Sequence, residues 1–316
     1  MKVVTSLSDA EVSQPFVVSI GNFDGLHLGH REILRNVVTR ARELDVRSLV
    51  MTFSPHPIRV LAPDRAPRLI STFDQKVRLI ENCGIDVLFL AHFDQAFSRL
   101  TPEEFVQRYL IDGFRALSVC VGGNFSFGYR QSGTIQTLQE FNQAFEIIEV
   151  PPVRVRGMLA SSSRVRELVS AGKVSRACRL LGRWFEIEGN LVPGAGRGRT
   201  MSVPTLNLKP QNELIPKMGV YISRVSLDGR PFMESVTNIG VRPTFLEDEL
   251  TIETFVLNQA VPEDTETARL HFLRRLRDET KFESIDALRR QIGRDVQCAE
   301  RFFRFLKMDH AAQYPD

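Results

Sequence analysis

Phe16 to His30 reads FVVSIGNFDGLHLGH. Its first five residues form an apolar run interrupted only by the small Ser19, the pattern of a strand covered on both faces. Glycines, an aspartate and two histidines follow. LGHREILRNVVTRARELD then places Ile33, Leu34, Val37, Val38, Ala41 and Leu44 on one helical face. The expectation is a strand, a tight loop and a helix that begins near Leu28. His27 and His30 then lie at the helix N-terminus. Unpaired N–H groups and a partial positive charge there favour a phosphate. The imidazoles add donors, and Gly25 and Gly29 allow a nucleotide to approach the backbone closely.

The alternation continues outward from this unit. RSLVMTF, DVLFLA, LSVCVG and FEIIEV read as further strands, with DQKVRLIENCG and TPEEFVQRYLID as helices between them. The first of these helices closes at Gly84. The second opens with a capping box, Thr101 with Glu104, and with Pro102 in its first turn. Apolar strands alternating with amphipathic helices predict a doubly wound parallel sheet covered on both faces. Such sheets bind ligands beyond the C-terminal ends of their strands, which is where the opening motif falls.

Near Arg183 the pattern changes. After the short helical stretches SSRVRELVS and SRACRLL come FEIEGNLV, GVYISRVSL, FMESVTNI, LTIETFVLN and ARLHFLRRL, separated by glycine- and proline-bearing loops. Strands in succession with no helix between them predict a small antiparallel β-barrel. A C-terminal helix from about Ser284 follows, with Ile285, Leu288, Ile292, Val296, Phe302 and Phe303 as its apolar residues. The expected domains are 1–184, parallel sheet, and 185–316, barrel and helix.

Composition narrows the function classes. The 316 residues carry 41 Lys and Arg against 38 Asp and Glu, a net charge of +3. That balance argues against a nucleic-acid binder and suits a small anionic ligand held by local cations. Cys83, Cys120, Cys178 and Cys298 form no CxxC pair and fit no zinc spacing, and Cys83 and Cys120, in apolar surroundings, are expected to be reduced core residues. The N-terminal MKVVTSLSDAEVSQ lacks a signal peptide's apolar region. No run of about 18 apolar residues predicts a membrane span. A cytoplasmic protein is expected, with neither nucleic acid nor membrane as partner.

HLGH resembles the HxGH signature of the nucleotidylyltransferase superfamily. The longer GNFDGLHLGH resembles the prokaryotic bifunctional riboflavin kinase/FAD synthetases. FSPHP (Phe53–Pro57), VGGNFSFG (Val121–Gly128), SSSRVREL (Ser161–Leu168) and LLGR (Leu180–Arg183) resemble that family's later segments, in order. The resemblance implies adenylyl transfer from ATP to FMN in the first domain. His27 and His30 would contact ATP phosphates there, with Gly25 and Gly29 beside them. Ser162, Ser163, Arg164 and Arg166 would grip the phosphates from a second helix start. Asn22, Asp24 and Asn124 would contact flavin or nucleotide. Mg²⁺ is implied by the triphosphate chemistry.

In the second half GRTMSVPTLN (Gly198–Asn207), NIGVRPTF (Asn238–Phe245) and IETFVLN (Ile252–Asn258) resemble the riboflavin kinase motifs. The resemblance implies Glu253 as the base that accepts the riboflavin 5′-hydroxyl proton. It implies Thr205 and Asn207 as ligands of Mg²⁺ and ATP, and Gly196, Gly198 and Arg199 as a loop over the phosphates. Riboflavin, FMN, FAD and ATP are the implied substrates and products. Ser202 and Val203 stand where the family has Gly and an aromatic residue, and Phe255 where His is common. These departures make an adenylyltransferase with a weakened kinase site the alternative reading. An RNA-binding protein and a non-catalytic flavin module are the rivals from other classes.

Overall fold

A computed structural model describes residues 1–8, 14–193, 205–243, 248–262, 264–280 and 282–308, with the backbone alone at 242, 243, 248 and 249. It divides into two compact units, Met1–Ser162 and Ser163–Asp316.

The main sheet of the first unit has six strands among the described residues: β1 (Lys2–Val4), β2 (Phe16–Ile20), β3 (Arg47–Ser54), β4 (Val87–His92), β5 (Ser118–Gly122) and β6 (Glu146–Val150). They form one sheet in the order β1-β4-β3-β2-β5-β6, and every pairing is parallel. After the edge strand β1 the chain enters the sheet's centre with β2, moves outward through β3 and β4, and returns to the other side of β2 with β5. The crevice between β2 and β5 is therefore the topological switch point, where such sheets take ligands.

Helices α1 (Leu28–Glu43), α2 (Pro57–Leu61), α3 (Phe73–Glu81), α4 (Pro102–Phe105) and α5 (Ile135–Gln139) connect the strands. Alternation along each strand feeds two cores. Val17, Val50, Leu88 and Cys120 pack with Leu34, Val37 and Ala41 of α1 and Ile80 of α3. Val18, Leu49, Phe89 and Val121 point the other way and pack with Phe105, Leu110 and Phe114. Each such side chain contributes about 1.5–3 kcal/mol on burial, so the sheet's centre, and the loop that leaves it, rest on a rigid base.

The capping box at α4 is present as expected. The chain beyond α4 widens into a π-helical stretch, Val106–Gly113. Helix α3 ends earlier than Gly84, and Thr72 with Gln75 forms a capping box at its start. Gly84, at φ +82°, lies in the turn beyond the helix. β1, which the sequence reading did not include, is a three-residue edge strand, too short to show alternation.

A two-stranded hairpin, β7 (Arg154–Val155) and β8 (Met158–Leu159), leads to α6 (Ser162–Ser170) and α7 (Val174–Leu181). The second unit's strands are β9 (Phe185–Val192), β10 (Leu206–Pro210), β11 (Gly219–Leu227), β12 (Met233–Pro243), β13 (Asp248–Val256) and β14 (Thr267–Arg277). They close a barrel in the order β10-β13-β12-β11-β14-β9, with every pairing antiparallel. β10 lies in a stretch that the sequence pattern does not mark as a strand. Its alternating LNLKP ends on a proline, which demotes a strand in a sequence reading, yet pairing with both β9 and β13 is what closes the barrel.

Polar groups inside the barrel satisfy one another. Ser223 shares hydrogen bonds with Ser235 at 2.8 Å and Thr237 at 2.7 Å, and Thr237 with Thr254 at 2.9 Å. α7 packs on the barrel through the Ser175 hydroxyl, which donates to the Leu273 carbonyl at 2.8 Å. The last helix, α8 (Ile285–Met308), turns Asp295, Ala299, Phe303 and Leu306 inward. Of the expected apolar residues only Phe303 is fully buried, and Ile285 is 65% exposed. Leu288, Ile292, Val296 and Phe302 are half-buried, and Asp295 joins the inward side, where it accepts from Arg277 of β14 at 2.8–3.2 Å.

None of the four cysteines forms a disulfide. Burial pushes both Cys120 and Cys178 up to about 12. Cys83 is half-buried and Cys298 exposed. Among the described residues no helix is long and apolar enough to cross a membrane.

Candidate functional site

β2 ends where Gly21 N–H donates to the Met51 carbonyl at 3.1 Å. The loop then folds on itself. Phe23, at φ 47°, tucks its ring into the core. Asp24 is buried, and its carboxylate accepts from Ile70 N–H at 3.0 and 3.1 Å and from Ser71 N–H at 3.2 Å. Its carbonyl accepts from the Ser162 hydroxyl at 2.9 Å. Asp24 therefore holds the loop to the segment before α3 and to the first residue of α6. Charge-assisted bonds of this kind are the strong ones. Lys76 on α3 stands near this carboxylate. Burial pushes its ammonium down from the ordinary lysine value, against the pull of Asp24.

The two glycines were expected to admit a nucleotide. Their crowding comes from the chain itself. Gly25 has φ +75°, and a Cβ there would meet Ile70 at 2.8 Å. A Cβ on Gly29 would meet the His27 ring at 3.1 Å and the Ala160 carbonyl at 3.3 Å.

His27 is the N-cap of α1, and its Nδ1 accepts from His30 N–H at 3.3 Å. An accepting Nδ1 puts the neutral ring's proton on Nε2. The His27 and His30 rings stack, centroids 3.7 Å apart, and Phe23 packs edge-on against His30. Helix starts usually favour acidic residues. α1 has none in its first turn and carries His30 and Arg31 instead. A helix start charged in this sense suits an anion from outside.

The loop after β5 lies beside this one, since β2 and β5 pair directly. Gly122 brings that loop against Ile33 of α1, and Asn124 stands exposed just beyond it. Asn22 is also exposed. β3 ends at Ser54, and His56 caps α2 by accepting from Ile58 N–H. Ser162 opens α6. Ser163, Arg164 and Arg166 follow on α6, where Arg164 pairs with Glu167.

The barrel carries a different arrangement. Glu253 of β13 pairs in register with Asn207 of β10 and with Asn238 of β12. Its neighbours Ile252 and Thr254 are buried inside, so Glu253 and the two asparagines form one row on the outer face. Directly opposed side chains stand about 4.5–5.5 Å apart at Cβ. The Asn207 amide donates to the Thr205 carbonyl at 3.5 Å, which leaves its carboxamide oxygen as a donor atom for a cation. Phe255 lies on the same outer face, opposite Val236. Gly196, Gly198, Arg199, Ser202 and Val203 lie outside the described residues. Among those described, no group of three or more His, Cys, Asp or Glu is placed to hold a metal ion. The sequence reading missed Ile70 and Ser71, whose N–H groups hold Asp24, and Asn238, which the barrel's register alone brings to Glu253.

The FAD synthetase family model matches residues 9–164, and the riboflavin kinase family model matches residues 181–303. The bifunctional riboflavin kinase/FMN adenylyltransferase of Escherichia coli K12 is 32% identical over 293 residues, 92% of this chain and 94% of its own. That of Bacillus subtilis 168 is 33% identical, covering 92% and 93%. That of Pseudomonas fluorescens is 35% identical, covering 90% and 91%. The crystal structure of a Streptococcus pneumoniae protein described as a macrolide-efflux protein superposes with a TM-score of 0.86 at 30% identity, covering 94% of this chain and 98% of that one. From that structure only the fold is carried over. The two family models run in chain order over the two sheets just described, and relatives aligned over nine-tenths of their length join the same pair: this chain belongs to the bifunctional riboflavin kinase/FMN adenylyltransferase family.

Proposed function

We propose that the chain performs two consecutive ATP-dependent transfers. Riboflavin is phosphorylated to FMN at the barrel, and FMN is adenylylated to FAD, with release of pyrophosphate, at the HxGH loop. We assign residues 1–184 to the second step and 185–316 to the first, in the cytoplasm. One observation carries the reading: the two halves set opposite charge where their ligands go. The start of α1 gathers N–H groups, His30 and Arg31 behind a capping His27. The outer face of β13 sets a carboxylate between two amides.

That difference matches the two chemistries. The FMN phosphate is already an anionic nucleophile and needs no base. Its site must align two anions and stabilise charge growing on the transferring and leaving oxygens. Alignment alone supplies about 7–11 kcal/mol of barrier reduction. His27, with its proton on Nε2, and His30 donate to the phosphates of ATP. Ser163, Arg164 and Arg166 add donors from α6, and Asn22 and Asn124 contact flavin or nucleotide. Asp24, Gly25 and Gly29 shape the loop. Riboflavin presents a neutral hydroxyl, and Glu253 accepts its proton, an effect typically worth about 10²–10⁴-fold.

Thr205 and Asn207 offer hydroxyl and carboxamide oxygens, a hard donor set that fits Mg²⁺. The ion would neutralise charge on the ATP phosphates. Gly196, Gly198 and Arg199 would cover those phosphates.

The test is incubation with riboflavin, ATP and Mg²⁺. FMN followed by FAD is the expected product sequence. Glu253→Ala leaves riboflavin unchanged but still converts added FMN to FAD. His30→Ala accumulates FMN. A Glu253→Ala protein that phosphorylates riboflavin at the wild-type rate overturns the kinase assignment.

A further inference from the structure

Six of the chain's 41 Lys and Arg and three of its 38 Asp and Glu lie on α8, so the rest of the chain is neutral and the net charge of +3 belongs to this helix. The three acids do little to offset it at the surface. Asp295 is buried and paired with Arg277 of β14. Glu300 is half-buried and accepts from the Asn258 amide at 3.1 Å. Asp286 stands in the first turn. From Arg289 onward no acidic residue of α8 is exposed. The balanced composition of the whole chain conceals this concentration.

Helical spacing sets the cations in a line. Arg290, Arg294, Gln297, Arg301, Phe305 and Met308 follow one another at steps of three and four residues, and all are exposed. The line lies opposite Asp295, Ala299, Phe303 and Leu306, which face the protein. At 1.5 Å per residue it runs about 27 Å. Arg304 flanks its far end, where Lys307 pairs with Glu234 of β12 at 2.7 Å. Two large apolar side chains stand in the open there, Phe305 at 64% exposure and Met308 at 82%.

We propose that the outer face of α8 docks the protein on an anionic lipid surface. A helix face is convex and meets a plane along its whole length. Arginines near such a surface are drawn to it, and each guanidinium grips phosphate oxygens with two hydrogen bonds. Phe305 and Met308 then enter the boundary between headgroups and acyl chains, where interfacial helices place their apolar side chains. These two residues decide between lipid and nucleic acid. Single-stranded nucleic acid is bound in basic grooves, with a series of aromatic rings on which successive bases stack. The line on α8 has one ring, and Met308 beside it offers no plane to a base. Lipid takes up both side chains.

The experiment uses the full chain and its cosedimentation with vesicles, either of phosphatidylcholine alone or of equal parts phosphatidylcholine and phosphatidylglycerol. Binding is expected to the anionic vesicles only, and it weakens as salt is added. Arg290→Gln, Arg294→Gln and Arg301→Gln each weaken the partition about fivefold, and the triple variant weakens it about 100-fold. Phe305→Ala weakens it about tenfold and leaves the salt dependence as it was. Riboflavin phosphorylation and FMN adenylylation stay at the wild-type level in every variant, which shows that the fold is kept. Equal binding to the two kinds of vesicle, or binding to neither, overturns the proposal. So does a triple variant that partitions like the unsubstituted chain. Tighter binding to a single-stranded RNA oligonucleotide than to the anionic vesicles gives the face to nucleic acid and overturns it as well.

Discussion

At Asp24 a side chain that looks like a ligand contact is committed to the fold. Its carboxylate takes three hydrogen bonds from two backbone N–H groups. Asp24→Asn offers one acceptor oxygen in place of two and loses the charge. Such a loss costs about 1–3 kcal/mol, so the denaturation midpoint of the first unit falls, and FMN adenylylation falls with it as the loop loosens. Riboflavin phosphorylation by the same protein stays level. Gly25 makes a related case. Any side chain there is strained at φ +75° and collides with Ile70, so Gly25→Ala costs about 1–3 kcal/mol, read in the same unfolding experiment. The histidines were legible in the sequence because their spacing implies a helix start. The partners of Asp24 were not, because Ile70 and Ser71 lie 46 and 47 residues further on, and only the fold brings them near.

Among the elements, long periodic segments were readable and short or interrupted ones were not. The α1 pattern repeats through Leu34, Val37, Val38 and Ala41, and all four are buried. β1 has three residues, and β10 ends on Pro210. At α8 the apolar pattern marked Phe303, which is buried, and Leu288, Ile292, Val296 and Phe302, which are half-buried, but hydrophobicity says nothing of Asp295 and its pairing with Arg277. Breaking that largely buried pair from one side leaves the other charge uncompensated. Asp295→Ala is expected to cost about 3 kcal/mol and to lower the thermal midpoint of the second unit.

Asp278, just after β14, accepts from Arg275 at 2.8 Å and pairs with Lys217 at 3.0 Å, and this cluster carries a pH signature. The hydrogen bond from Arg275, with Lys217 beside it, lowers the Asp278 carboxyl from 3.8 to about 2. A folded value below the unfolded one means this contribution is complete above about pH 4 and is lost as pH falls through 2. A carboxyl-detected NMR titration of Asp278 should show its midpoint near 2. Arg275→Ala should return it toward 3.8. A midpoint already at 3.8 in the unsubstituted protein would falsify the pairing of Asp278 with Arg275 and Lys217.

At the scale of the whole molecule, each half has its own sheet and its own proposed site, and FMN is the product of one and the substrate of the other. His30→Ala removes the phosphate contact proposed for the first unit and leaves the barrel untouched. Glu253→Ala removes the base proposed for the barrel and leaves the parallel sheet untouched. Neither protein alone should turn riboflavin into FAD. Mixed with ATP and Mg²⁺, the pair should do so, because FMN released by one is taken up by the other. The intermediate must then cross bulk solution, which fixes the kinetics. FAD should appear after a lag during which FMN accumulates, and the lag should shorten as the concentration of the Glu253→Ala protein rises. Added FMN should abolish the lag. A mixture that makes FMN but no FAD, although the Glu253→Ala protein alone adenylylates added FMN, would mean that FMN stays bound where it is made, and the two halves would then have to be treated as one catalytic path.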